Sequence, residues 1–391
     1  SRAMMTSPTT TAPYWYLQPS FSIPTLSTDV DADVCVVGLG GSGLAAVHAL
    51  LDAGQSVVGV DAHGIASGAA GRNGGFLIAG AASFHHQTIE RVGRPAALAL
   101  YRLTQAQLKR MAEETPNDVQ LGFSLRRADD AEELEDCRAE MRALEHDDIA
   151  VEWYDGPEGQ GIAIPGDGVF HPHQRALSMA RRALERGARL FVDSPALEVS
   201  GREVHTPKGR VRCRAVIVAA DAALARILPE LDGRIYDVRL QMLATLPDPS
   251  LKLRAPVYSR YGYDYWQQRP DGQIVVGGGR HIAGDTELTD KAEVTLVVMD
   301  YLTKLLRDDI GSQAEITHRW AGIVGYTQDS FPILEEVRPG VMAAGGYCGT
   351  GNLLGRMAGR DAAARIVGGE APLFDLLQQL RAAKTDASKT T

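Results

Sequence analysis

Three closely spaced glycines are the first residues in this chain whose type and spacing could do chemistry. Gly38, Gly40 and Gly43 form a G-x-G-x-x-G cluster between the apolar run Val34–Val37 and a helix-like run over residues 44–53. The first glycine allows a sharp turn, the second lets backbone N–H groups approach a pyrophosphate, and the third permits close helix–strand packing. A helix N-terminus adds free N–H donors and a positive dipole end. The cluster, with Gly41 inside it, predicts a dinucleotide phosphate site.

An acidic residue completes this pattern. Asp61 ends the second apolar run, Val57–Val60, and Ala62 follows it. A carboxylate at this place accepts hydrogen bonds from the ribose hydroxyls of an adenosine. The acid alone does not separate NAD from FAD, whereas the lack of an Arg or Lys directly after Asp61 argues against NADP.

A second glycine-rich turn, "GGYCGTGNLLG" at residues 345–355, separates the two remaining cofactors. It lies between an apolar run and a helical run, and it offers another helix N-terminus with bare amides. A reduced flavin carries negative charge near N1 and O2, which such a terminus stabilises. NAD does not require this second turn, so the sequence predicts FAD. The candidate contacts here are Gly349, Thr350, Gly351, Asn352 and Leu353.

The stretch 64–80 is too rich in glycine for a helix and too apolar for an exposed linker. Small residues in such a stretch imply a close neighbour, either backbone or ligand. We therefore expect it to lie along the cofactor. The candidate contacts are Ser67, Gly68, Ala69, Arg72, Asn73, Gly74 and Gly75, together with Leu197 and Ala219 farther along the chain.

Composition restricts the partners. The net charge of −9 argues against nucleic acid and against an anionic membrane surface, and no apolar run is long enough to cross a bilayer. The four cysteines stand singly without metal-ligand spacing, so we predict no metal and a reducing, cytoplasmic location. The opening "SRAM" resembles a cloning remnant and is left out of the fold prediction.

The remaining patterns define the elements that must position these residues. Helical spacing covers 89–114, 131–147, 174–186 and 290–306, a strand–hairpin–strand pattern covers 188–222, and residues 258–279 alternate as in an antiparallel sheet. We predict an α/β protein with a discontinuous Rossmann-type FAD-binding domain and an α+β substrate domain on an antiparallel sheet. The predicted segments are an arm with the tag remnant (1–28), an FAD domain (29–80, 168–233 and 316–372), a substrate domain (81–167 and 234–315) and a tail (373–391).

From residue 33 to residue 374 the chain resembles the FAD-dependent amine and amino acid oxidases, the D-amino acid oxidase or glycine oxidase group. The resemblance rests on the first glycine cluster, "SGAAGRNGG" (67–75), "IVVGGG" (274–279), "RWAGIVGYTQDSFPIL" (319–334) and the second glycine turn. Within the group it is closest to γ-glutamylputrescine oxidoreductase-like sequences. The resemblance implies oxidation of a C–N bond by hydride transfer to the flavin, giving an imine that hydrolyses, with O2 or another acceptor taking the electrons.

Departures from the family pattern bear on the substrate. Val324 stands where members that oxidise α-amino acids carry a carboxylate-binding Arg, so a clamped α-carboxylate requires Arg72 or Arg260 to reach in from elsewhere. Gly322 stands where sarcosine-oxidase-like members attach FAD through a Cys, so the resemblance implies that FAD is bound non-covalently. Cys348 and Thr350 replace the usual Ser and His of the last turn. We therefore expect a small-molecule amine of the secondary or polyamine-like type.

Five residues are candidates for the substrate pocket: Tyr265, Trp266, His281, Trp320 and Cys348. Each has a structural alternative, as sheet core, loop histidine or packing residue. Three other functions stay open: an oxidase of D-amino acids or N-methyl amino acids, a FAD-binding redox sensor or partner module without turnover, and a colourless NAD-dependent dehydrogenase.

Overall fold

The computed structural model describes residues 11–389, so the predicted tag remnant lies outside the described residues. In this part the helices are α1 (Gly41–Asp52), α2 (His85–Val92), α3 (Arg94–Glu114), α4 (Ala131–His146), α5 (Pro172–Glu185), α6 (Leu224–Ile227), α7 (Arg280–Ala283), α8 (Leu296–Lys304), α9 (Gly351–Val367) and α10 (Pro372–Lys389). The strands are β1 (Val30–Asp31), β2 (Val34–Val37), β3 (Val57–Val60), β4 (Phe76–Leu77), β5 (Val119–Arg127), β6 (Glu152–Gly156), β7 (Gly159–Phe170), β8 (Arg189–Phe191), β9 (Glu198–Val199), β10 (Glu203–Thr206), β11 (Gly209–Arg212), β12 (Ala215–Val218), β13 (Ile235–Thr245), β14 (Val257–Ser259), β15 (Asp264–Gln268), β16 (Ile274–Gly278), β17 (Ile316–Thr327), β18 (Ile333–Arg338) and β19 (Val341–Gly345).

A six-stranded sheet of order β18-β19-β12-β2-β3-β8 carries the first glycine turn. Its neighbouring strands run parallel except β18 with β19. Val34 and Val36 of β2 pack towards the helices, whereas Cys35 and Val37 pack towards the four-stranded sheet β1-β11-β10-β9. Because both faces are covered, the central strands are continuously apolar. The strand order changes direction between β2 and β12, and ligands of such sheets bind in the crevice beyond the carboxyl ends at this point.

A nine-stranded sheet has the order β17-β13-β16-β15-β14-β5-β7-β4, with β6 paired to β7. All its neighbouring strands run antiparallel except β14 with β5. One face packs against α8, where Val298 and Leu302 contact the sheet core. The two large sheets confirm the predicted fold class, a Rossmann-type unit with a second unit on an antiparallel sheet.

Two predicted helices differ from those observed. The pattern over 89–114 is divided at Gly93, whose φ of +87° is open to glycine at little cost, and Pro95 begins the longer helix α3. The helix predicted from residue 290 begins at Leu296, because Thr295 is held in extended conformation. Gln241 accepts a hydrogen bond from the Thr295 N–H (2.8 Å) and donates one to its hydroxyl (3.0 Å).

Two segments are located differently from the prediction: the start of the FAD-domain segment 316–372 and the predicted tail. Strand β17 pairs with β13 along its whole length, which puts it in the antiparallel sheet. The stretch predicted as a tail forms α10, which the Asp361 carboxylate caps by accepting hydrogen bonds from the N–H groups of Leu373 (2.7 Å) and Phe374 (3.0 Å). The division into domains stays a prediction. None of the helices in residues 11–389 is long and apolar enough to span a bilayer.

Candidate active site

Both glycine turns line one cavity of about 1260 Å³. Ordinary small-molecule pockets measure about 300–1,000 Å³, so this cavity has room for a dinucleotide and a second small molecule. It lies beyond the carboxyl ends of β2, β3 and β12 and against the face of the nine-stranded sheet opposite α8. The fold thus brings together two turns that lie about 300 residues apart in the sequence.

The first turn leaves no room for side chains. At Gly38, with φ +97°, a Cβ would lie 2.3 Å from the carbonyl oxygen of Ala219, and at Gly43 it would lie 1.7 Å from the carbonyl oxygen of Gly38. Helix α1 begins after Gly40 with no side-chain cap and no acidic residue in its first turn. The N–H groups and positive dipole end of α1 therefore face the cavity, as an anion site requires.

The second turn is fixed to the first by side chains. The Tyr347 hydroxyl donates to the Ser42 hydroxyl at the start of α1 (2.8 Å). The Asn352 amide donates to the Asn73 side-chain oxygen (3.2 Å) and to the carbonyl of Phe76 (2.9 Å). Helix α9 begins after Thr350, again with no side-chain cap. Two helix N-termini thus face the same cavity, at positions tied by hydrogen bonds.

The loop 67–75 is braced from inside by its own charged side chain. Arg72 donates from Nε to the Ser67 carbonyl (2.9 Å) and from Nη1 to the Ala321 carbonyl (3.0 Å), and burial lowers the pKa of its guanidinium. The Trp320 indole donates to the Arg72 carbonyl (2.9 Å). Arg72 lines the cavity, and two of its five donors hold the loop.

Asp61 is placed as the sequence predicts, at the cavity beyond β3. Its carboxylate accepts hydrogen bonds from the N–H groups of Leu39 (2.8 Å) and His63 (2.9 Å), while burial raises its pKa. Two backbone donors leave lone pairs free on both oxygens. The carboxylate can therefore also accept from hydroxyl groups of a ligand.

A lateral row of residues runs along the sheet wall of the cavity, and four of them line it: Met242, Tyr265, Tyr258 and Arg126. Paired positions across β17, β13, β16, β15, β14 and β5 are Trp320, Met242, Gly277, Tyr265, Tyr258 and Arg126. Tyr258 and Tyr265 stack with centroids 5.7 Å apart and an interplanar angle of 28°. Gly277 makes space for the Tyr265 ring, because a Cβ there would lie 2.2 Å from it. Burial raises the pKa of Tyr258 to about 12, so these phenols stay neutral.

Most predicted cofactor contacts line this cavity. They are Gly38, Gly40, Gly41, Asp61, Ala62, Ser67, Gly68, Ala69, Arg72, Asn73, Gly74, Ala219, Gly349, Thr350, Gly351 and Asn352. Gly43, Gly75 and Leu353 lie behind the lining. Leu197 is 66% exposed and its N–H bonds to His205, while Pro195 and Ala196 supply the lining there instead.

Of the five pocket candidates, only Tyr265 and Cys348 line the cavity. Trp266 follows Tyr265 directly, so the two-residue period of a strand puts it on the opposite face, in the core under α8. His281 lies 3.5 Å from the Tyr301 hydroxyl outside the lining. Trp320 is buried behind Arg72. These three are corrections to the predicted pocket.

Cys348 and Asp221 shape the second turn. Cys348 has φ +53°, and burial raises the pKa of its thiol. Asp221, which the sequence reasoning missed, is half-buried at the cavity and accepts from the N–H groups of Gly325 (3.1 Å) and Gly346 (2.9 Å). Its place at the end of the apolar run β12 resembles that of Asp61 after β3, which is the signal that could have found it.

Together, the parallel sheet with two unblocked helix N-termini and the covering aromatic sheet define an oxidoreductase fold built for a long dinucleotide. The family model of FAD dependent oxidoreductases (DAO) matches residues 33–365, and the chain belongs to that family. Among curated relatives, γ-glutamylputrescine oxidoreductase of Escherichia coli is 27% identical over 91% of this chain and 88% of its own length. A probable oxidoreductase OrdL of Rhizobium meliloti is 26% identical over 90% and 86%.

Solved structures agree on the fold. Glycine oxidase from Geobacillus kaustophilus superimposes with a TM-score of 0.71 at 21% identity, over 86% of this chain and 95% of that one. L-amino acid deaminase from Proteus vulgaris gives 0.74 at 17% identity, over 91% and 94%.

The residues present fit FAD, the cofactor of the family. Both glycine turns leave backbone N–H groups without side-chain competition, and Asp61 provides an acceptor at the adenosine end. Gly322 provides no thiol for covalent attachment. Arg72 lies close to it, since a Cβ added to Gly322 would be 3.2 Å from the Cβ of Arg72. The cysteine in the cavity lining, Cys348, has its sulfur 3.7 Å from the Thr327 hydroxyl.

A buried carboxylate near the aromatic wall predicts a pH effect on stability. Burial raises the pKa of Asp167 to about 6, although its oxygens accept from the Ala79 N–H (3.1 Å) and the Ser124 hydroxyl (2.6 Å). Between pH ~4 and ~6 the native state holds a proton that the unfolded chain releases, so stability falls as pH rises through this window. We expect the free energy of unfolding of the Asp167→Asn variant to fall less across this pH window than that of the unmodified protein, by about 3 kcal/mol. Urea unfolding of both proteins at pH 4 and pH 7.5 measures the difference, and equal pH profiles would contradict it.

Proposed function

We propose that this chain oxidises the C–N bond of a small-molecule amine, with FAD held between the two glycine turns. FAD supplies the hydride acceptor, and O2 or another acceptor takes the electrons afterwards. The residues proposed to hold the pyrophosphate and ribose are Gly38, Gly40, Gly41 and Asp61. The amides of Gly349, Thr350 and Gly351, at the start of α9, are proposed to lie at the negative side of the reduced ring.

The observation that carries the proposal is the aromatic wall opposite the loop 67–75. Tyr265 lies against Gly74 of that loop, because a Cβ on Gly74 would be 2.9 Å from the Tyr265 ring. Phe76 meets Tyr258 and Tyr265 edge to face, at 4.9 and 5.7 Å. The loop and the aromatic wall thus touch at Gly74, and the cavity that both of them line beside this contact has room for a flat ring and a small substrate.

The chain's own residues prepare the amine by excluding water. Tyr258, Tyr265 and Tyr326 line this end of the cavity as neutral phenols, and burial raises the pKa of Tyr326 to about 12. A desolvated, aromatic surrounding disfavours an ammonium ion, so a bound amine keeps its lone pair. Only a neutral amine can release hydride from the adjacent carbon, and fixed orientation supplies the remaining advantage.

The redox-sensor alternative depends on Cys348. Its thiol accepts a hydrogen bond from the Thr327 N–H (3.5 Å) and its pKa is raised by burial, which favours a packing role over a reactive thiolate.

The test is anaerobic titration of the yellow holoprotein with secondary amines, diamines and amino acids. We expect bleaching of the flavin band by an amine and none by the alcohol of the same carbon skeleton. A yellow protein that no amine of the panel reduces would reject amine oxidation, and a colourless protein would reject FAD binding.

A further inference from the structure

Two half-buried arginines in the cavity lining have guanidinium groups with no partner among the described residues. The guanidinium groups of Arg126 and Arg280 make no hydrogen bond and no ion pair with any residue of the described range 11–389, and Nε of Arg126 is buried without an acceptor. Arg91 in the lining is also unpaired within this range, but it is exposed to solvent. A guanidinium has five N–H donors, and leaving them unused in a partly closed cavity is costly. Such groups indicate a ligand that brings its own acceptors.

Other arginines near the site show the contrast. Arg260, which could have reached in, pairs with Asp129 (2.9 Å), Asp264 (2.7 Å) and Asp309 (3.1 Å), and it does not line the cavity. Arg72 donates to two carbonyls of its own loop and strand β17. Arg260 is therefore neutralised outside the lining, and Arg72 is anchored to the backbone through two of its five donors.

Aromatic rings hold both free guanidinium groups. Arg126 lies 5.3 Å from the Tyr258 ring centroid and 5.8 Å from that of Phe84. Arg280 lies 5.0 Å from the Tyr263 ring and 5.1 Å from the Tyr326 ring. A ring face attracts the charge but leaves the N–H donors free, which is the arrangement that binds a carboxylate through two parallel hydrogen bonds.

The two guanidinium groups lie at different places along the wall. Arg126 ends the lateral row on β5, two strands from Tyr265 and so about 10 Å away. Arg280 is beside Tyr326, whose hydroxyl would lie 3.1 Å from a Cβ on Gly349 of the second turn. Carboxylates nearby have their own bonds: Asp167 with Ala79 and Ser124, and Asp264 with Arg260 and Gly279.

Resting on the proposed function, we infer that the substrate is an anionic amine with two carboxylates, one bound by Arg126 and the other by Arg280. This replaces the polyamine-like substrate that the sequence predicts, because two free cations in the pocket repel a polycation. It also explains how a carboxylate is bound although Val324 stands at the usual arginine position.

The first experiment measures anion binding without turnover. The holoprotein is titrated with glutarate, butyrate and glutaramide, which carry two, one and no carboxylates, and the flavin absorption change gives each dissociation constant. We expect glutarate to bind most tightly and glutaramide most weakly. Arg126→Met and Arg280→Met should each weaken glutarate binding by roughly 10- to 100-fold, to the level of butyrate, because Met keeps contact with the rings and loses the charged donors.

Arg138→Met is the matched control, since Arg138 lies 4.6 Å from the Trp153 ring outside the cavity. It should leave glutarate binding unchanged. A Lys substitution at Arg126 or Arg280 keeps the positive charge but cannot donate two parallel hydrogen bonds to one carboxylate. The Lys variants should therefore bind glutarate more tightly than the Met variants and more weakly than the unmodified protein. Retained flavin absorption shows that each variant is folded. Equal affinities for glutarate and glutaramide, or unchanged affinity in both Met variants, would overturn the inference.

The second experiment separates the two proposals. Anaerobic flavin reduction is compared for amines with two carboxylates and for diamines of equal length, and we expect the dicarboxylates to react faster. If diamines react faster, amine oxidation stands and the dicarboxylate substrate is rejected. If the glutarate pattern holds while no amine reduces the flavin, the anion site stands and amine oxidation fails.

Discussion

We expect Gly38→Ala to purify without FAD. The new Cβ would lie 2.3 Å from the Ala219 carbonyl oxygen, at a φ of +97° that L side chains rarely adopt. Either β2 and β12 separate at their carboxyl ends or the turn changes shape, and both outcomes displace the N-terminus of α1 from the pyrophosphate. FAD content per chain should fall at least ~10-fold, since the turn positions several charge-assisted hydrogen bonds at once.

Gly54→Ala is the matched control for this change. Gly54 also has a positive φ, +73°, but a Cβ there has no neighbour within 4 Å and the residue follows α1 at its far end. We expect this variant to keep its FAD and to lose only about 1 kcal/mol of stability. Absorption spectra and circular dichroism of both proteins check the prediction. A yellow Gly38→Ala protein with full cofactor content would contradict it.

The second large effect concerns the segment before the first strand. Trp15 is completely buried and packs against Met242, Val275 and Trp320 of the nine-stranded sheet. Its indole donates to the Asn73 carbonyl (2.7 Å), in the loop proposed to lie along the flavin. We expect Trp15→Ala to lower the free energy of unfolding by about 3–5 kcal/mol, as removal of a buried Trp does. FAD should also be lost more readily on dialysis.

Two neighbouring changes separate packing from hydrogen bonding. Trp15→Phe keeps most of the buried area and removes the indole donor, so it should cost less stability while still loosening FAD. Tyr16→Ala removes an adjacent side chain that is 54% exposed, and we expect little effect on either property. Denaturant unfolding and FAD retention measure both. Loss of stability in Trp15→Ala with unchanged FAD retention would show that the arm stabilises the fold without acting on the cofactor loop.

Most of the proposed cofactor site could be predicted from short sequence motifs. Gly38, Gly40 and Asp61 are recognisable because the proposed role of each depends on the backbone or on a fixed strand end, and a βαβ unit places such positions in the same way in every fold of this kind. The second glycine turn at 345–355 follows the same logic. Leu197 shows the limit, because the residue that faces a ligand in an irregular segment depends on the exact path of the chain.

The substrate half could not be obtained this way. Tyr265 and Trp266 are adjacent aromatic residues, so the sequence does not show which of them faces the cavity. The strand register with Gly277 and Tyr258 decides it. Arg126 comes from β5, far from the motifs that identify the family, and reaches the wall through its pairing with β14. Nothing in the local sequence distinguishes a free arginine from a paired one such as Arg260.

What the sequence by itself determined is the cofactor class and the fold class, because turns without side chains and a strand-end acid have few physical uses. What the tertiary structure decided is the charge of the pocket. Ion pairing depends on which strands meet across about 5 Å, and that is a property of sheet order and register rather than of any stretch of chain.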